Sequence, residues 1–390
     1  MRLSRVRCAA VAAIAVVGAG AGLFAGSGAL AASSASTPRW RIVGTTSGNL
    51  NAVVAPSLRT QWAFGAKVTT KPLPPVALRH VGSRWVQAAL PATAKGDIVC
   101  AGASSPSNVW AFEGESFGPF GANSAAALQL RSGRWVMRHE FAYKAGGVTT
   151  DDLFVTGCNV LSPTDVWAFG STGAGPAIGT WHLHGRTWTH MTSSPAGFLG
   201  QASVISPSNI WATGWDGIEG VLAHWNGSSW KADASLRRAL PKPSSTVEVR
   251  VAAVTAVSSR DLWVEALVNR QAKNGTWHGG PQVEHWNGAR WSKVTASGFG
   301  YYLPIAFTGT QNSWSAAYPS TASVTPSMTY LLHASHDHWV KVPLPKAKSG
   351  YRLEITSVAN VPGSRVAYAV GNEINKTTGY GSGVILKVTY

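Results

Sequence analysis

The sequence predicts an all-β chain folded as a single seven-bladed β-propeller of four-stranded antiparallel blades. Three observations predict it. A unit recurs along the chain with its marker aromatic every 44 to 57 residues, the length of one propeller blade. Within each unit, short alternating apolar and polar segments are bounded by Gly, Pro, Asn and Ser, the pattern of half-buried strands joined by tight turns. Finally, 13% of the 390 residues are charged while 42 are Gly and 21 are Pro, which excludes a helical bundle or coiled coil, and 45% hydrophobic residues exclude a disordered chain.

Residues 1–31 read as an export signal. Arg2, Arg5 and Arg7 precede an apolar Ala/Val/Gly run that ends at Ala29-Leu30-Ala31, a small-x-small cleavage site. The Gly-rich run and the polar stretch after it argue against an uncleaved anchor. Residues 32–37 read as a short linker and 38–390 as the propeller. No other apolar stretch approaches the roughly 20 residues that span a bilayer, so a secreted or cell-surface protein without a membrane span is expected. Loss of the leader lowers the net charge from +16 to +13.

The first half of the unit reads SPSNVWAF (Ser105 to Phe112), SPTDVWAFG (Ser162 to Gly170), SPSNIWATG (Ser206 to Gly214) and SSRDLWVEA (Ser258 to Ala266), with weaker copies around Trp62, Trp314 and Tyr368. The second half ends on Trp85, Trp135, Trp188, Trp230, Trp291 and Trp339, twice in the form HWNGxxW. Pro presets φ in the first turn, and Asn or Asp can bond the backbone just beyond it. Asn-Gly between two strand-like runs is a hairpin signal. Each unit therefore supplies four strands, such as 202–205, 210–213, 221–225 and a last strand led by Trp230.

Seven first halves face six second halves downstream of them. The unit around Tyr368 stops at a third strand, 384–390, and the fragment Pro38 to Val43 matches the missing fourth. Pairing the two termini in one blade closes the ring and leaves no large open sheet edge. Six blades remain the alternative if the Tyr368 unit packs irregularly.

These units resemble the SPxDVWAxG…HWxGxxW blades of secreted bacterial propeller proteins, many of them actinobacterial, and at greater distance those of galactose-oxidase/kelch-like propellers. The resemblance spans nearly all of residues 38 to 390 and implies the fold, not a function. Gly185-Arg186-Thr187-Trp188 is also similar to the end of the Asp-box of sialidase-like propellers, with Leu183 where the Asp would stand.

Eighteen Trp invite a ligand-binding reading, but sixteen sit at repeat positions, where a recurring Trp fills the gap between blades. Trp215 and Trp277 lie off the repeat. The longer connections, from second to third strand and from blade to blade, share one face of a propeller, and function concentrates in such loops. Candidate ligand-binding residues there are Trp215, Asp216, Trp277, His278, Phe117 and Phe120. Arg237, Arg238 and Lys242 lie in a neighbouring loop.

Cys100 and Cys158 occupy similar positions in adjacent units, so a disulfide is expected, with two buried free thiols as the alternative. Neither has a His or Cys at ligand spacing, and no metal or cofactor is expected. His80, His224, His285 and His333 recur on third strands and read as structural. The 17 acidic residues give few of the carboxylate pairs that glycoside hydrolysis needs. No nucleophile elbow, phosphate loop or His-Glu-x-x-His motif occurs.

Arg84, Arg134, Arg186 and Arg290 recur at third-to-fourth-strand turns and form a peripheral basic ring, which reads first as a solvated rim that keeps the protein soluble, with attraction of anionic polymers as the alternative. The functional expectation is a monomeric, non-catalytic binding module without specific nucleic-acid recognition. Its partner would be an extracellular protein, a glycan or a cell-wall polymer. A carbohydrate-active propeller, lectin or hydrolase, is the alternative.

Overall fold

The turns cut the chain into strands at fixed intervals, and each does so by a local bond. The hydroxyls of Ser57, Ser105, Ser162 and Ser258 accept backbone N–H groups two or three residues on, at 3.1–3.3 Å. The Asn226 and Asn287 side chains each cap two N–H groups of the other turn type. There Gly82, Gly133, Gly185, Gly227 and Gly288 adopt positive φ, which a Cβ would strain.

The structure, a computed structural model, describes residues 37–67, 74–114, 125–141, 144–145, 148–149, 154–171, 179–191, 198–216, 219–294, 301–306, 313–318, 327–335 and 338–390. The first strand, β1 (Arg41–Thr46), is followed by blade one, formed by β2 (Asn49–Ser57), β3 (Thr60–Ala66), β4 (Pro75–Val81) and β5 (Arg84–Gln87). Blade two holds β6 (Asp97–Ser105), β7 (Asn108–Gly114), β8 (Ala125–Arg131) and β9 (Arg134–Phe141), and a small ribbon of β10 (Lys144–Ala145) and β11 (Val148–Thr149) follows it. Blade three holds β12 (Phe154–Ser162), β13 (Asp165–Ser171), β14 (Gly179–His184) and β15 (Thr187–Met191). Blade four holds β16 (Phe198–Ser206), β17 (Asn209–Trp215), β18 (Gly220–Trp225) and β19 (Trp230–Ala232). Helix α1 (Ala234–Ala239) leads to blade five, β20 (Val247–Ser258), β21 (Asp261–Gln271), β22 (Trp277–Trp286) and β23 (Trp291–Val294). Blade six holds β24 (Tyr301–Ala306), β25 (Ser313–Tyr318), β26 (Tyr330–Ser335) and β27 (His338–Pro343). Blade seven holds β28 (Tyr351–Asn360), β29 (Val366–Asn375) and β30 (Gly381–Thr389).

β1 pairs antiparallel with β30, so the seventh sheet runs β1-β30-β29-β28 and takes its fourth strand from the opposite terminus. Seven four-stranded sheets result, and the six-blade alternative falls away. The closing strand runs three residues beyond Val43, the end expected from sequence, because pairing with β30 extends to Thr46. The innermost strands adjoin in the order β2, β6, β12, β16, β20, β24, β28 and back to β2. Each carries a register shift midway, such as Ile98/Cys100 or Val155/Gly157, and so bends and twists at the same level of the ring.

No single core exists. The buried side chains form clusters between neighbouring blades, and one rule fills them. In five blade pairs the second-strand aromatic of one blade meets, edge-on, the fourth-strand Trp of the next, beginning with Trp62 and Trp135 at 5.2 Å, Trp110 and Trp188 at 6.1 Å, and Trp167 and Trp230 at 6.0 Å. Trp314 meets Trp40 at 4.8 Å, and Tyr368 meets Trp85 at 6.1 Å, which carries the rule across the closure. Trp291 packs on the cluster that holds Trp211. Edge-on pairs add about 0.5–1.5 kcal/mol beyond the area they bury.

Polar bonds link the innermost strands as well. Asn51 Nδ2 donates to Asp97 at 2.7 Å, Asn159 Nδ2 to the Ala202 carbonyl at 3.1 Å and Thr356 Oγ1 to the Leu50 carbonyl at 2.8 Å. Between blades two and three the link is covalent, since Cys100 of β6 and Cys158 of β12 are disulfide-bonded. α1, in a connection that carried no helix signal, is started by Asp233, whose Oδ1 accepts the N–H groups of Ser235 and Leu236, and is held by buried Leu236.

Trp110→Ala should cost about 3–5 kcal/mol, read as a lower urea midpoint; a change within 1 kcal/mol or so would remove the edge-on contact from the account. Replacing both Cys100 and Cys158 by Ser opens a closure between residues 58 apart and should cost about 4 kcal/mol. Wild-type protein in reductant should match that variant.

Candidate functional site

Seven-fold repetition divides the surface into two faces of different origin. The tight turns inside each blade crowd one face, and the longer connections emerge on the other. On the long-connection face, Trp215 ends β17 half-buried, its ring 5.9 Å from the Arg250 guanidinium. Asp216 follows, exposed, and its Oδ1 accepts the Glu219 N–H at 2.8 Å. Glu219 is buried and ion-paired with Arg237 of α1. Asp216, Glu219, Asp233 and Arg237 line a hollow of about 120 Å³, whose lining does not include Trp215; it is below the roughly 300–1,000 Å³ usual for ligand sites. Its carboxylates are each committed, one to a turn, one to an ion pair and one to a helix cap.

Trp277 and His278 lie elsewhere. They open β22, paired with Gln271 and Arg270 of β21, and β21 separates them from Arg250 on β20. Both are exposed, Trp277 by 46%. The structure therefore groups Trp215 and Asp216 with Glu219, Asp233 and Arg237, and sets Trp277 and His278 apart on a long hairpin. Phe117 and Phe120 lie outside the described residues.

On the tight-turn face, the Asp or Asn two residues before the repeat Trp has a specific task. Asp165 accepts from His182 Nε2 at 2.9 Å, Asn209 from His224 at 2.9 Å, and Asp261 from His285 at 2.9 Å. Each imidazole lies flat on its Trp, with centroids 3.8–4.3 Å apart. Asp261 also accepts the Trp263 indole N–H at 2.9 Å, and Asn108 does the same for Trp110 at 3.1 Å. Burial holds the pKa values of His182 and His224 below the ordinary range, so both are neutral at pH 7. In blade two Gln129 replaces the His and donates to Asn108 at 2.9 Å.

Register corrects one sequence reading. Trp62 pairs with Arg79, whose guanidinium lies 5.8 Å from its ring, while His80 points to the other face beside Trp85. The repeat series is Arg79, Gln129, His182, His224, His285, His333 and Lys387, one cross-strand partner for each second-strand aromatic. His182 was missed because WHLH lacks the following Trp of HWNG. Counting back from the turn would have found it.

Beyond this layer the tight turns present arginine. Arg59, Arg260 and Arg365 stand in first-to-second-strand turns, and Arg84, Arg131, Arg134, Arg186 and Arg290 in or beside third-to-fourth-strand turns. All eight are exposed, and none has a carboxylate partner among the described residues. No lysine occurs in these turns. The described acids there, Asp165 and Asp261, are bonded inward to His.

Between blades one and two, Glu113 is 1% exposed, and its Oε2 accepts the Lys95 N–H at 3.3 Å. Burial pushes its carboxyl up from 4.5 to about 7; the Lys95 and Gly96 N–H groups oppose this, and Glu140 and Asp97 reinforce it. The folded state thus holds a proton that the unfolded chain releases. The stabilisation is full below pH 4.5 and is lost as pH rises through about 7, a swing of about 3 kcal/mol. His182, His224 and His333 are shifted down by burial and act with the opposite sign, losing stability as pH falls. The wild-type minus Glu113→Gln difference in urea stability isolates the carboxyl: it should fall by about 3 kcal/mol between pH 4.5 and 7.5, and a flat difference would refute the assignment.

No protein-family model matches the sequence, and no curated protein matches it. Among solved structures, the chain is similar to Ycf48 bound to a D1 peptide, with a TM-score of 0.53 and 10% identity over 91% of this chain and 96% of that one. It is also similar to the α-L-arabinanase of Penicillium chrysogenum complexed with arabinobiose (TM-score 0.41, 10% identity, 72% and 89% covered). A third is the α-L-arabinofuranosidase Arb93A of Fusarium graminearum (TM-score 0.43, 10% identity, 89% and 98% covered). With the seven described sheets, the likeness to Ycf48 makes the chain an all-β propeller closed by its N-terminal strand.

Proposed function

We propose that the protein is an exported, non-catalytic β-propeller that binds an anionic polymer, such as a phosphate-rich cell-wall polymer, through its tight-turn face. The observation that carries this reading is the set of eight exposed arginines, with no lysine in these turns and no free carboxylate there among the described residues. Guanidinium forks match phosphate and carboxylate oxygens in pairs and hold their charge at any physiological pH. Their turns are held by serine caps and positive-φ glycines, so the charges sit on a preformed frame.

Export is supported by the Arg-led leader and by the Cys100–Cys158 disulfide, a bond that persists in oxidising compartments. The resemblance of the blades to those of secreted bacterial propellers points the same way. The carbohydrate-active alternative draws less support, because the carboxylates beside Trp215 are spent on structural bonds around a hollow of about 120 Å³.

Inorganic polyphosphate titrated at several salt concentrations tests the reading. Affinity should fall linearly on a log–log plot as salt rises, by analogy with counterion release from nucleic acids. The combined variant Arg84→Glu, Arg134→Glu, Arg186→Glu, Arg290→Glu should bind at least about tenfold more weakly and with a shallower salt slope. Undiminished binding by that variant, or tight salt-independent binding of a neutral glycan instead, would sink the proposal.

A further inference from the structure

A second basic feature lies between blades six and seven. A cleft of about 780 Å³ is bounded by the connection from β27 to β28, by residues 327–329 and by the start of the β29–β30 turn. It falls within the size range of ligand sites, several times the volume of the hollow beside Trp215. Its connection reads Pro343-Leu344-Pro345-Lys346-Ala347-Lys348-Ser349-Gly350.

The walls are fixed by the backbone. The Trp40 N–H donates to the Pro343 carbonyl at 3.1 Å and Leu344 to Thr329 at 2.9 Å. Tyr351 donates to Lys348 at 3.0 Å and Lys376 to Gly350 at 2.9 Å. Two prolines stiffen the run further. A ligand would therefore meet a preformed cleft and spend little of its binding energy on ordering it.

The lining is apolar and cationic at once. Pro343, Pro345 and Ala347 line it together with Met328 and Leu344, and Arg39, Lys346, Lys348 and Lys376 are its exposed lining residues of positive charge. The acid nearby is Glu373, and Lys348 takes it twice, through Nζ at 2.8 Å and through its N–H at 2.8 Å. Arg39, Lys346 and Lys376 stay uncompensated among the described residues. Among the described residues the cleft has no flat aromatic platform for a sugar. Trp40 is 2% exposed and turned edge-on into Trp314, and the Tyr351 ring lies beneath the Lys348 ammonium at 6.0 Å. A bare polyphosphate would leave the proline wall unused.

We propose that this cleft binds a short acidic peptide in extended form, its carboxylates on Arg39, Lys346 and Lys376 and its aliphatic side chains against the Pro343–Ala347 wall. The inference is independent of the polymer reading, since none of the eight turn arginines lines the cleft.

Fluorescence anisotropy with a fluorescein-labelled octapeptide of alternating glutamate and leucine provides the test. Wild type should bind it saturably, and Lys346→Glu with Lys376→Glu should weaken binding at least about tenfold. Lys231→Glu, the same substitution at one exposed lysine of β19, should leave it within about twofold, and thermal melts confirm that each variant is folded. Oligogalacturonate, an acidic sugar chain, should compete poorly. Absence of saturable binding, equal loss in the Lys231→Glu protein, or tighter binding of oligogalacturonate than of the peptide would each overturn the proposal. The four-arginine variant should retain peptide affinity, so the two readings can fail separately.

Discussion

The edge-on contact between the second-strand aromatic of one blade and the fourth-strand tryptophan of the next is the interaction on which the remaining structure depends. A four-stranded blade is one layer thick, so both of its faces must be covered by its neighbours. No helix layer or second sheet does this. An indole buries about 150–250 Å², worth up to about 4–6 kcal/mol of transfer free energy at 25 cal/mol per Å² as an upper bound. Small residues could not fill the wedge that widens from β2 or β6 outward to β5 or β9. Because the rule continues from Tyr368 to Trp85, the ring closes with the same contact that builds it.

A large indole facing a neighbour also needs its other side covered, while its N–H has no partner among the described residues at Trp62, Trp167 and Trp211. The cross-strand histidine answers that need in blades three to six, lying flat on the ring. The Asp or Asn of the preceding turn bonds that imidazole in blades three to five and the indole itself in blades two and five. One short motif thereby sets the turn, the rotamer of the imidazole and the tilt of the tryptophan.

With the interior repeated, chemical individuality moves to the surface, and the two faces differ in kind. The tight turns tolerate little variation in backbone, so they vary in side chain, and arginine occupies them. The long connections vary in length, and one of them, rich in proline and lysine, encloses a cleft. A guanidinium on a fixed turn suits paired oxygen atoms of a polymer. An ammonium at the rim of an apolar wall suits isolated carboxylates with aliphatic neighbours between them.

The repeat was legible because four blades restate an SPxDVW-like turn, three restate it weakly and all seven have a Trp-led fourth strand, so turn chemistry and the period of the aromatics gave strand order and the terminal closure at Pro38 to Val43 and favoured seven blades over six. Proximity on the long-connection face was not legible. Trp215 and Trp277 look alike in sequence, yet one packs under Arg250 while the other stands exposed across a strand. His80 and Arg79 are one residue apart, and only the register of β4 decided which lies on Trp62, because adjacent strand residues face opposite sides. The cleft lining joins Arg39 to Lys346 and Lys376, which meet only once β1 has returned to blade seven. Local turn preferences and hydrophobic period thus determined the scaffold from the sequence alone. Which side chains converge at a surface depends on ring closure and strand twist, and those are properties of the assembled tertiary structure.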